Sequence, residues 1–390
     1  MRLSPAAEKA VRAGHPWVYS NSVRDQNRDG VTGELAVIYG RDDKFLAIGL
    51  FDAASPLRVR ILLTGKPATL DASWWRHRLH DVLAKREGMF GQETNGYRLI
   101  NGESDGWPGL VLDRYSGTLV MKLYTAAWLP RLGEITTLVS ETIKPQAVVL
   151  RLSRNIADAA QRDLGVAEGV LCGESEETVV FLENGLRFEA AVLRGQKTGF
   201  FLDQRDNRRR VSELAAGASV LNAFSFSGGF SLYAAKGGAR KVTDIDVSAH
   251  ALEAGDRNFT LNHDLPAVAA CQREIVRADA FAWLDDSRGS QFDLVILDPP
   301  SLAKREADRA GAIAAYTRLI ASGLRRVRRG GVLVAGSCSA HVSEEEFFAC
   351  VDRTALPFRT QKLWTSTHAP DHAVTFAEAA YLKCAALRVL

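Results

Sequence analysis

Two residues in the C-terminal quarter of the chain have side chains suited to covalent chemistry. Asp298 follows the apolar segment FDLVIL, and Cys338 follows GGVLVAG and one serine. A thiolate is a nucleophile, and a carboxyl group beside it can transfer protons. The alternative role for Cys338 is packing, because an unpaired cysteine often behaves as a small apolar residue in a core. The pair therefore indicates covalent chemistry only if the fold brings the two residues together.

Two prolines, Pro299 and Pro300, directly follow Asp298. Proline has no amide hydrogen and its ring restricts φ, so the pair predicts a rigid, exposed corner. Such a corner can support a flat aromatic ring that faces Asp298. Helix capping is the alternative role for Asp298, but two prolines directly after it make ordinary capping awkward. The sequence therefore favours a ligand-binding role for this corner.

Strands and helices alternate regularly from about residue 185 onward. The strand-like segments SVLNAF, KVTDID, REIVRAD, FDLVILD and GGVLVAG are each followed by a helical segment. This alternation predicts an α/β domain with a parallel sheet, whose ligands lie beyond the C-terminal ends of the strands. Asp298 and Cys338 end the fourth and fifth strands, so we expect them on neighbouring strand ends. FRTQKLWTS and AAYLKCAALRVL, without a helix between them, are predicted to add an antiparallel pair.

The loop after the first of these strands is rich in small residues and enters a helix, in the segment NAFSFSGGF at residues 222–230. Such a loop lets a ligand approach backbone amides at the start of a helix. The second strand ends at Asp246, about 20 residues further along, where dinucleotide enzymes carry an acidic residue that binds ribose hydroxyls. Together the two signals indicate a ligand that contains adenosine, without identifying it.

The first half of the chain predicts two smaller domains. Residues 1–68 contain short β-rich runs separated by turn residues, which is typical of an all-β unit. Residues 69–184 mix strands, turns and helices, which favours an α+β domain.

Composition limits the functional classes open to this protein. The 390 residues are 46% hydrophobic, and a net charge of +3 is too small to identify a nucleic-acid binder by itself. No apolar run is long enough to span a membrane and the start lacks a secretory signal, so we expect a cytoplasmic protein without a membrane partner. The five cysteines form no CxxC pattern and no Cys/His cluster, so we expect neither a disulfide framework nor a metal site.

NAFSFSGGF, DIDVS, RADAF and LDPPS follow one another in the order and spacing of motifs I to IV of the class I S-adenosylmethionine-dependent methyltransferases. Over nearly its full length the chain resembles the bacterial 23S ribosomal RNA cytosine-5 methyltransferases of the large subunit methyltransferase I type. The segments that carry this closer resemblance are HPWVYS, NGESDGWPGLVLDRY, KTGFFLDQRDNR, GSCS and YLKCAALRV. The resemblance implies a β-barrel PUA domain that binds RNA at 1–68, a central α+β domain at 69–184 and a Rossmann-like methyltransferase domain at 185–390.

The resemblance also implies a site for S-adenosylmethionine and a site for the RNA base. In the family, Asp246 would hold the ribose hydroxyls and Asp279 the adenine edge, while Gln204 would close the site from the other side. The implied cofactor-binding residues are Gln204, Phe224, Ser225, Gly228, Asp246, Asp279 and Asp298. The implied substrate-binding residues are Pro299, Pro300 and Ser301.

In the implied reaction the thiolate of Cys338 adds to carbon 6 of cytosine, so that carbon 5 can take a methyl group. Asp298 would hydrogen-bond the base and supply a proton. Related two-cysteine enzymes carry a second cysteine near motif IV, where this chain has DPPS. The group that removes the carbon 5 proton is therefore open among Ser301, Asp298 and water. The target base must be unstacked or looped out.

Three alternatives stay open. The first is an RNA N-methyltransferase acting on a purine, although such enzymes often have an aromatic residue where this chain has Ser301. The second is a nicotinamide-dependent dehydrogenase, which needs a tighter glycine pattern than NAFSFSGGF. The third is a non-catalytic RNA-binding ribosome-assembly factor. The sequence does not identify the modified nucleotide, and it does not distinguish naked RNA from an assembling subunit as the substrate. It also leaves the oligomeric state open, with a homodimer as one alternative.

Overall fold

A computed structural model describes residues 1–286 and 289–390 of the chain. The described chain divides into two compact units. The first unit comprises Met1–Leu182, Ala190–Leu202 and Asp371–Phe376, and the second comprises Glu183–Glu189, Asp203–Pro370 and Ala377–Leu390. The predicted domain boundaries near residues 68 and 184 stay predictions.

The N-terminal part of the first unit is a six-stranded sheet with one helix. In chain order its elements are β1 (Arg2–Leu3), α1 (Pro5–Arg12), β2 (Trp17–Tyr19), β3 (Val23–Asp25), β4 (Leu35–Tyr39), β5 (Phe45–Phe51) and β6 (Leu57–Thr64). The strand order is β2-β6-β5-β4-β1-β3. The helix begins after Ser4, whose hydroxyl accepts a hydrogen bond from the backbone amide of Ala7 and caps the first turn.

A five-stranded sheet follows in the same unit. Its elements are α2 (Ala72–Ala84), β7 (Gly96–Asn101), β8 (Leu110–Tyr115), β9 (Thr118–Leu123), α3 (Leu132–Ile143), β10 (Ala147–Leu152), α4 (Arg154–Leu164) and β11 (Gly169–Gly173). The strand order is β11-β10-β9-β8-β7, and only β9 and β10 run parallel among these neighbours. Leu50 and Leu62 of the first sheet share one apolar core with Leu110 and Leu112 of the second. This shared core explains why both sheets belong to one compact unit.

The chain passes between the units in the strands β12 (Val179–Glu183) and β13 (Leu186–Ala190). The second unit is an α/β domain built on a seven-stranded sheet of order β16-β15-β14-β17-β18-β20-β19. Its elements are α5 (Arg205–Glu213), β14 (Ser219–Ala223), α6 (Gly229–Lys236), β15 (Lys241–Asp246), α7 (Ala249–Leu261), α8 (Pro266–Ala270), β16 (Gln272–Arg277), α9 (Ala280–Asp285), β17 (Phe292–Leu297), α10 (Arg309–Arg326), β18 (Val327–Ser337), α11 (Glu344–Ala355), β19 (Thr360–Ser366) and β20 (Lys383–Val389).

Both faces of this sheet are covered. Leu294 and Ile296 pack into one core, and Val295 and Leu297 pack into another on the opposite face, as the alternation of side chains along a strand requires. Strands β14 to β18 run parallel, whereas β20 is antiparallel to both β18 and β19. The predicted parallel sheet with an antiparallel C-terminal pair is confirmed. None of the helices in the described part of the chain has the length and apolar character needed to cross a bilayer.

Candidate active site

The loop between β14 and α6 has an unusual backbone. Phe224 and Phe226 have φ angles of 63° and 47°, and Gly228, the residue before α6, has a φ of 71°. Residues other than glycine seldom adopt this left-handed region, and such conformations concentrate at functional sites. Glycine at position 228 avoids the steric cost. The loop that we expect to meet a cofactor therefore contains strained backbone at two phenylalanines.

Two backbone amides of this loop are held by the neighbouring strand β15. Ser225 N–H donates to the carbonyl of Ile245 at 3.0 Å, and Phe226 N–H donates to Oδ2 of Asp246 at 2.9 Å. The other carboxylate oxygen, Oδ1, accepts from Ser248 N–H at 2.9 Å. Each carboxylate oxygen can accept a second hydrogen bond. Asp246 thus lies beside the loop and keeps acceptor capacity for a ligand.

Two polar side-chain atoms at the same strand end are buried without a hydrogen-bond partner among the described residues. They are Oγ of Ser225 and Oδ1 of Asn222. Leaving a buried polar group unsatisfied costs about 1–3 kcal/mol. The loop is therefore suited to a polar ligand that would satisfy these atoms.

A second carboxylate, Asp244, lies on the same strand as Asp246 and is completely buried. It accepts hydrogen bonds from Arg273 Nε at 2.7 Å, from Asn222 Nδ2 at 3.4 Å and from Ser231 Oγ. Burial raises the pKa of Asp244, although Arg273 favours the charged form. This support behind the loop was not predicted from the sequence. The two-residue spacing in DID, which puts both acids on one face of a strand, could have indicated it.

Asp279 is the N-cap of α9, where its Oδ1 accepts from Ala282 N–H at 2.9 Å. In the first turn of that helix, Phe281 packs edge-on against Phe224, with ring centroids 5.6 Å apart. The third strand end is thereby joined to the first. The predicted adenine contact of Asp279 stays a prediction beside this capping role.

Asp298 directly follows β17, whose last residue, Leu297, pairs with Ala335 of β18. The next residue of β18 is Gly336, where a Cβ would lie 2.8 Å from Asp298 Oδ1. A side chain at this glycine would therefore displace the carboxylate. Asp298 Oδ1 also accepts from Gln204 Nε2 at 2.8 Å.

Gln204 belongs to the short 3-10 helix Leu202–Gln204 and is 4% exposed. Its Oε1 accepts from Asn207 Nδ2 at 2.7 Å, and Asn207 Oδ1 accepts from Ser366 Oγ at 2.5 Å. This chain of hydrogen bonds orients the amide so that its NH₂ group donates to Asp298. The contact of Gln204 with Asp298 was not foreseen, and its predicted cofactor contact stays a prediction.

Cys338 follows β18 at the start of a segment that we call the thiol loop, residues 338–342. The side chain is half-buried, and its Sγ lies 3.7 Å from the carbonyl oxygen of Pro299. The thiol and the proline corner after Asp298 therefore meet at the C-terminal ends of two adjacent parallel strands. The expected neighbourhood of the two strand ends is present.

Serines on either side of the cysteine join the thiol loop to the proline corner. Ser337 Oγ donates to the hydroxyl of Tyr316 at 2.8 Å, and that hydroxyl lies 2.9 Å from Ser339 Oγ. Ser339 Oγ accepts from Leu302 N–H at 3.0 Å and from Ser301 Oγ at 3.4 Å. Tyr316 was not predicted as part of the site, because a tyrosine on a helix gives no local signal of a contact with a strand end.

The other four cysteines have different surroundings. Cys350 and Cys384 are buried, while Cys172 and Cys271 are half-buried. Burial raises the pKa of Cys271 to about 11 and also raises that of Cys384. Those two thiols therefore stay protonated near neutral pH. Within residues 1–286 and 289–390, no group of three or more His, Cys, Asp or Glu side chains could hold a metal ion.

Known families and structures resemble this chain along its whole length. The model of the S-adenosylmethionine-dependent methyltransferases matches residues 97–360, and the model of the PUA-like domain matches residues 1–64. The ribosomal RNA large subunit methyltransferase of Deinococcus radiodurans is 58% identical over an alignment 402 residues long, which covers 100% of this chain and 97% of the relative. Ribosomal RNA large subunit methyltransferase I of Aeromonas salmonicida is 34% identical over 395 residues, which cover 98% of this chain and 97% of the relative.

A solved structure shares the fold at lower sequence identity. A chain from Streptococcus mutans, assigned as a S-adenosylmethionine-dependent methyltransferase, superposes with a TM-score of 0.84 at 23% identity. The superposition covers 100% of this chain and 99% of that chain.

Proposed function

Because the chain belongs to the S-adenosylmethionine-dependent methyltransferases, in the family of the ribosomal RNA large subunit enzymes, we propose that it forms 5-methylcytidine in 23S ribosomal RNA. Cys338 is the nucleophile of this proposal and Asp298 the proton donor. The observation that carries it is the 3.7 Å separation of Cys338 Sγ from the carbonyl oxygen of Pro299. This contact places the thiol beside the proline corner that directly follows Asp298.

S-adenosylmethionine supplies the methyl group when bound. The buried, unsatisfied Oγ of Ser225 and Oδ1 of Asn222 support a polar nucleoside ligand at the loop after β14. We assign the ribose hydroxyls to Asp246, whose oxygens can each accept a second hydrogen bond. The proposed cofactor-binding residues are Gln204, Phe224, Ser225, Gly228, Asp246, Asp279 and Asp298.

Carbon 5 of cytosine is a poor nucleophile, and covalent addition at carbon 6 activates it. The thiolate of Cys338 forms a bond to carbon 6, and the electrons of the 5,6 double bond shift through carbon 4 onto ring nitrogen 3. Asp298 gives its proton to that nitrogen, which leaves an electron-rich double bond between carbons 4 and 5. When carbon 5 acquires the methyl group, nitrogen 3 returns the proton to Asp298.

Loss of the carbon 5 proton then restores the 5,6 double bond, and the bond from carbon 6 to sulfur breaks to release the thiolate of Cys338. Ser301 and water remain candidates for the base that takes this proton, and Asp298 remains a third only if it first releases the returned proton to solvent. Ser301 hydrogen-bonds Ser339 of the thiol loop, which supports its nearness to the reacting atoms. We propose that Pro299, Pro300 and Ser301 contact the flipped base.

The PUA-like match at residues 1–64 supports RNA as the partner, and the relatives named ribosomal RNA large subunit methyltransferases support ribosomal RNA as its class. We infer that the chain works in the cytoplasm, on naked 23S ribosomal RNA or on an assembling large subunit.

The proposal is tested with unmodified 23S ribosomal RNA and cofactor labelled in its methyl group, followed by nucleoside analysis. We expect label in 5-methylcytidine with the wild type and a loss of at least about a thousandfold in turnover with Cys338→Ala, as for removal of a nucleophile. Calorimetry with S-adenosylhomocysteine should give an affinity within a few fold of the wild type for that variant.

Cys271→Ala is the matched control, because Cys271 is also half-buried and lies outside the proposed site. Its turnover should equal that of the wild type. Label in methyladenosine or methylguanosine would replace the proposal with N-methylation of a purine. Cofactor binding without any labelled nucleoside would favour a non-catalytic RNA-binding factor.

A further inference from the structure

Lys383 is an unusual residue for the middle of a sheet. It begins β20, pairs with Ser337 of β18 and is 1% exposed. Its ammonium donates to the carbonyl oxygens of Ser339 at 2.8 Å and Val342 at 2.6 Å. No carboxylate of the described residues lies within 4.0 Å of this ammonium. The fold therefore buries a positive charge without a paired negative charge.

A buried ammonium that lacks a counter-charge is costly, because carbonyl dipoles replace only part of its hydration. In keeping with this cost, burial lowers the pKa of Lys383 from 10.5 to about 8. The lysine still carries its proton for most of the time at neutral pH. A negative charge placed nearby would gain from this ammonium.

Lys383 contacts the residues on both sides of Cys338. The residue before it, Ser337, pairs with Lys383 across the sheet, and the residue after it, Ser339, offers the carbonyl that the ammonium binds. A charge on Cys338 raises the pKa of Lys383, so the two groups are close enough to interact electrostatically. A thiolate at Cys338 would supply the missing negative charge.

We propose that Lys383 is a positioning residue for Cys338: its buried ammonium stabilises the thiolate and holds the thiol loop by two carbonyls. The inference rests on the proposed function for its catalytic meaning. When the thiol ionises near pH 7, its proton passes to solvent, and Lys383, which is still mostly protonated at that pH, remains the positive partner. The ion pair then replaces an uncompensated buried charge.

Ionisable groups on three further elements lie near this pair. Glu344 and Glu346 at the start of α11 favour the ammonium, but Glu346 is itself paired with Arg309. Tyr316 of α10 has its pKa raised to about 12 by burial, so it stays neutral near pH 7. Asp298, after β17, is the remaining carboxyl group: when charged it would act against a thiolate, and in the protonated form that the proposed reaction needs it would not.

The test is the pH dependence of alkylation of Cys338 by iodoacetamide, followed by mass spectrometry of the peptide that contains it, in the full chain without RNA or cofactor. Only the thiolate reacts, so the midpoint reports the pKa of the thiol. We expect Lys383→Met to raise the midpoint by about one pH unit and to slow alkylation at pH 7 about tenfold. Lys383→Arg, which keeps a positive charge, should restore most of the rate.

Lys383→Gln serves as a second neutral variant if Lys383→Met does not fold, and alkylation of Cys271 in the same samples reports on the fold. An unchanged midpoint in a folded neutral variant would overturn the inference. Because this assay needs no methyl transfer, a shifted midpoint in a chain that forms no 5-methylcytidine would retain the inference and reject the proposed function. An unshifted midpoint in a chain that forms 5-methylcytidine would do the reverse.

Discussion

Two of the buried cations in the second unit, Arg208 and Lys383, have different kinds of hydrogen-bond partner. Arg208 of α5 donates two hydrogen bonds to the carboxylate of Glu183, at 2.9 and 2.7 Å, and both side chains are buried. Lys383 donates to two carbonyl oxygens and, among the described residues, has no carboxylate within 4.0 Å. The arginine pair is neutral as a whole and fixed in geometry, whereas the lysine keeps its net charge. The charge of Arg208 is therefore neutralised within the fold, whereas the charge of Lys383 can interact with a thiolate at Cys338.

The largest expected effect concerns the paired cation. Arg208→Met should lower the free energy of unfolding by about 3–5 kcal/mol, because Glu183 would stay buried without its partner. Urea denaturation at pH 7 measures this change. The matched control is Arg209→Met, since Arg209 pairs with Glu213 on the exposed face of the same helix, and it should cost about 0.5 kcal/mol or less. If both variants lost the same free energy of unfolding, burial would not be what makes the Arg208–Glu183 pair important for stability.

Replacing the other cation should affect stability much less. Lys383→Met gives up two hydrogen bonds, each worth about 0.5–1.5 kcal/mol, but it also removes a buried charge that lacks a counter-charge. We therefore expect a loss of about 1 kcal/mol in the same urea experiment. If Lys383→Met instead destabilised the chain as much as Arg208→Met, then Lys383 would belong to the folding framework as Arg208 does.

The general arrangement of this site could be predicted from sequence, but its supporting contacts could not. The alternation of strands and helices predicts which strand ends share an edge, so Cys338 and Asp298 were expected on neighbouring strands, as found. The predicted methyltransferase and PUA-like domains are likewise confirmed by the family matches. These conclusions follow from local patterns and from general rules of topology.

Lys383, Tyr316 and the contact of Gln204 with Asp298 were not predicted. The segment YLKCAALRV indicates a strand, but it contains nothing about what Lys383 would meet in space. The interaction of Tyr316 with Ser337 and Ser339 spans more than 20 residues. Such contacts depend on side-chain packing across the sheet, and a single sequence has no pattern for them.

The smallest expected effect is a pH dependence that distinguishes the two cations by sign. The pKa of Lys383 is about 8 in the folded chain, below its ordinary value of 10.5. Between these values the unfolded chain binds more protons than the folded chain, so the free energy of unfolding rises with pH. From pH 7.5 to 8.5 the folded side chain binds on average about half a proton fewer than the unfolded one, which adds roughly 0.7 kcal/mol of stability.

The measurement is urea denaturation of the wild type and Lys383→Met at both pH values. The wild type should gain stability relative to the variant as the pH rises, because only the wild type sheds this buried charge. A wild type that lost stability relative to Lys383→Met over the same range would have its ammonium stabilised by the fold. Lys383 would then resemble Arg208, and its charge would stabilise the fold and not a thiolate at Cys338.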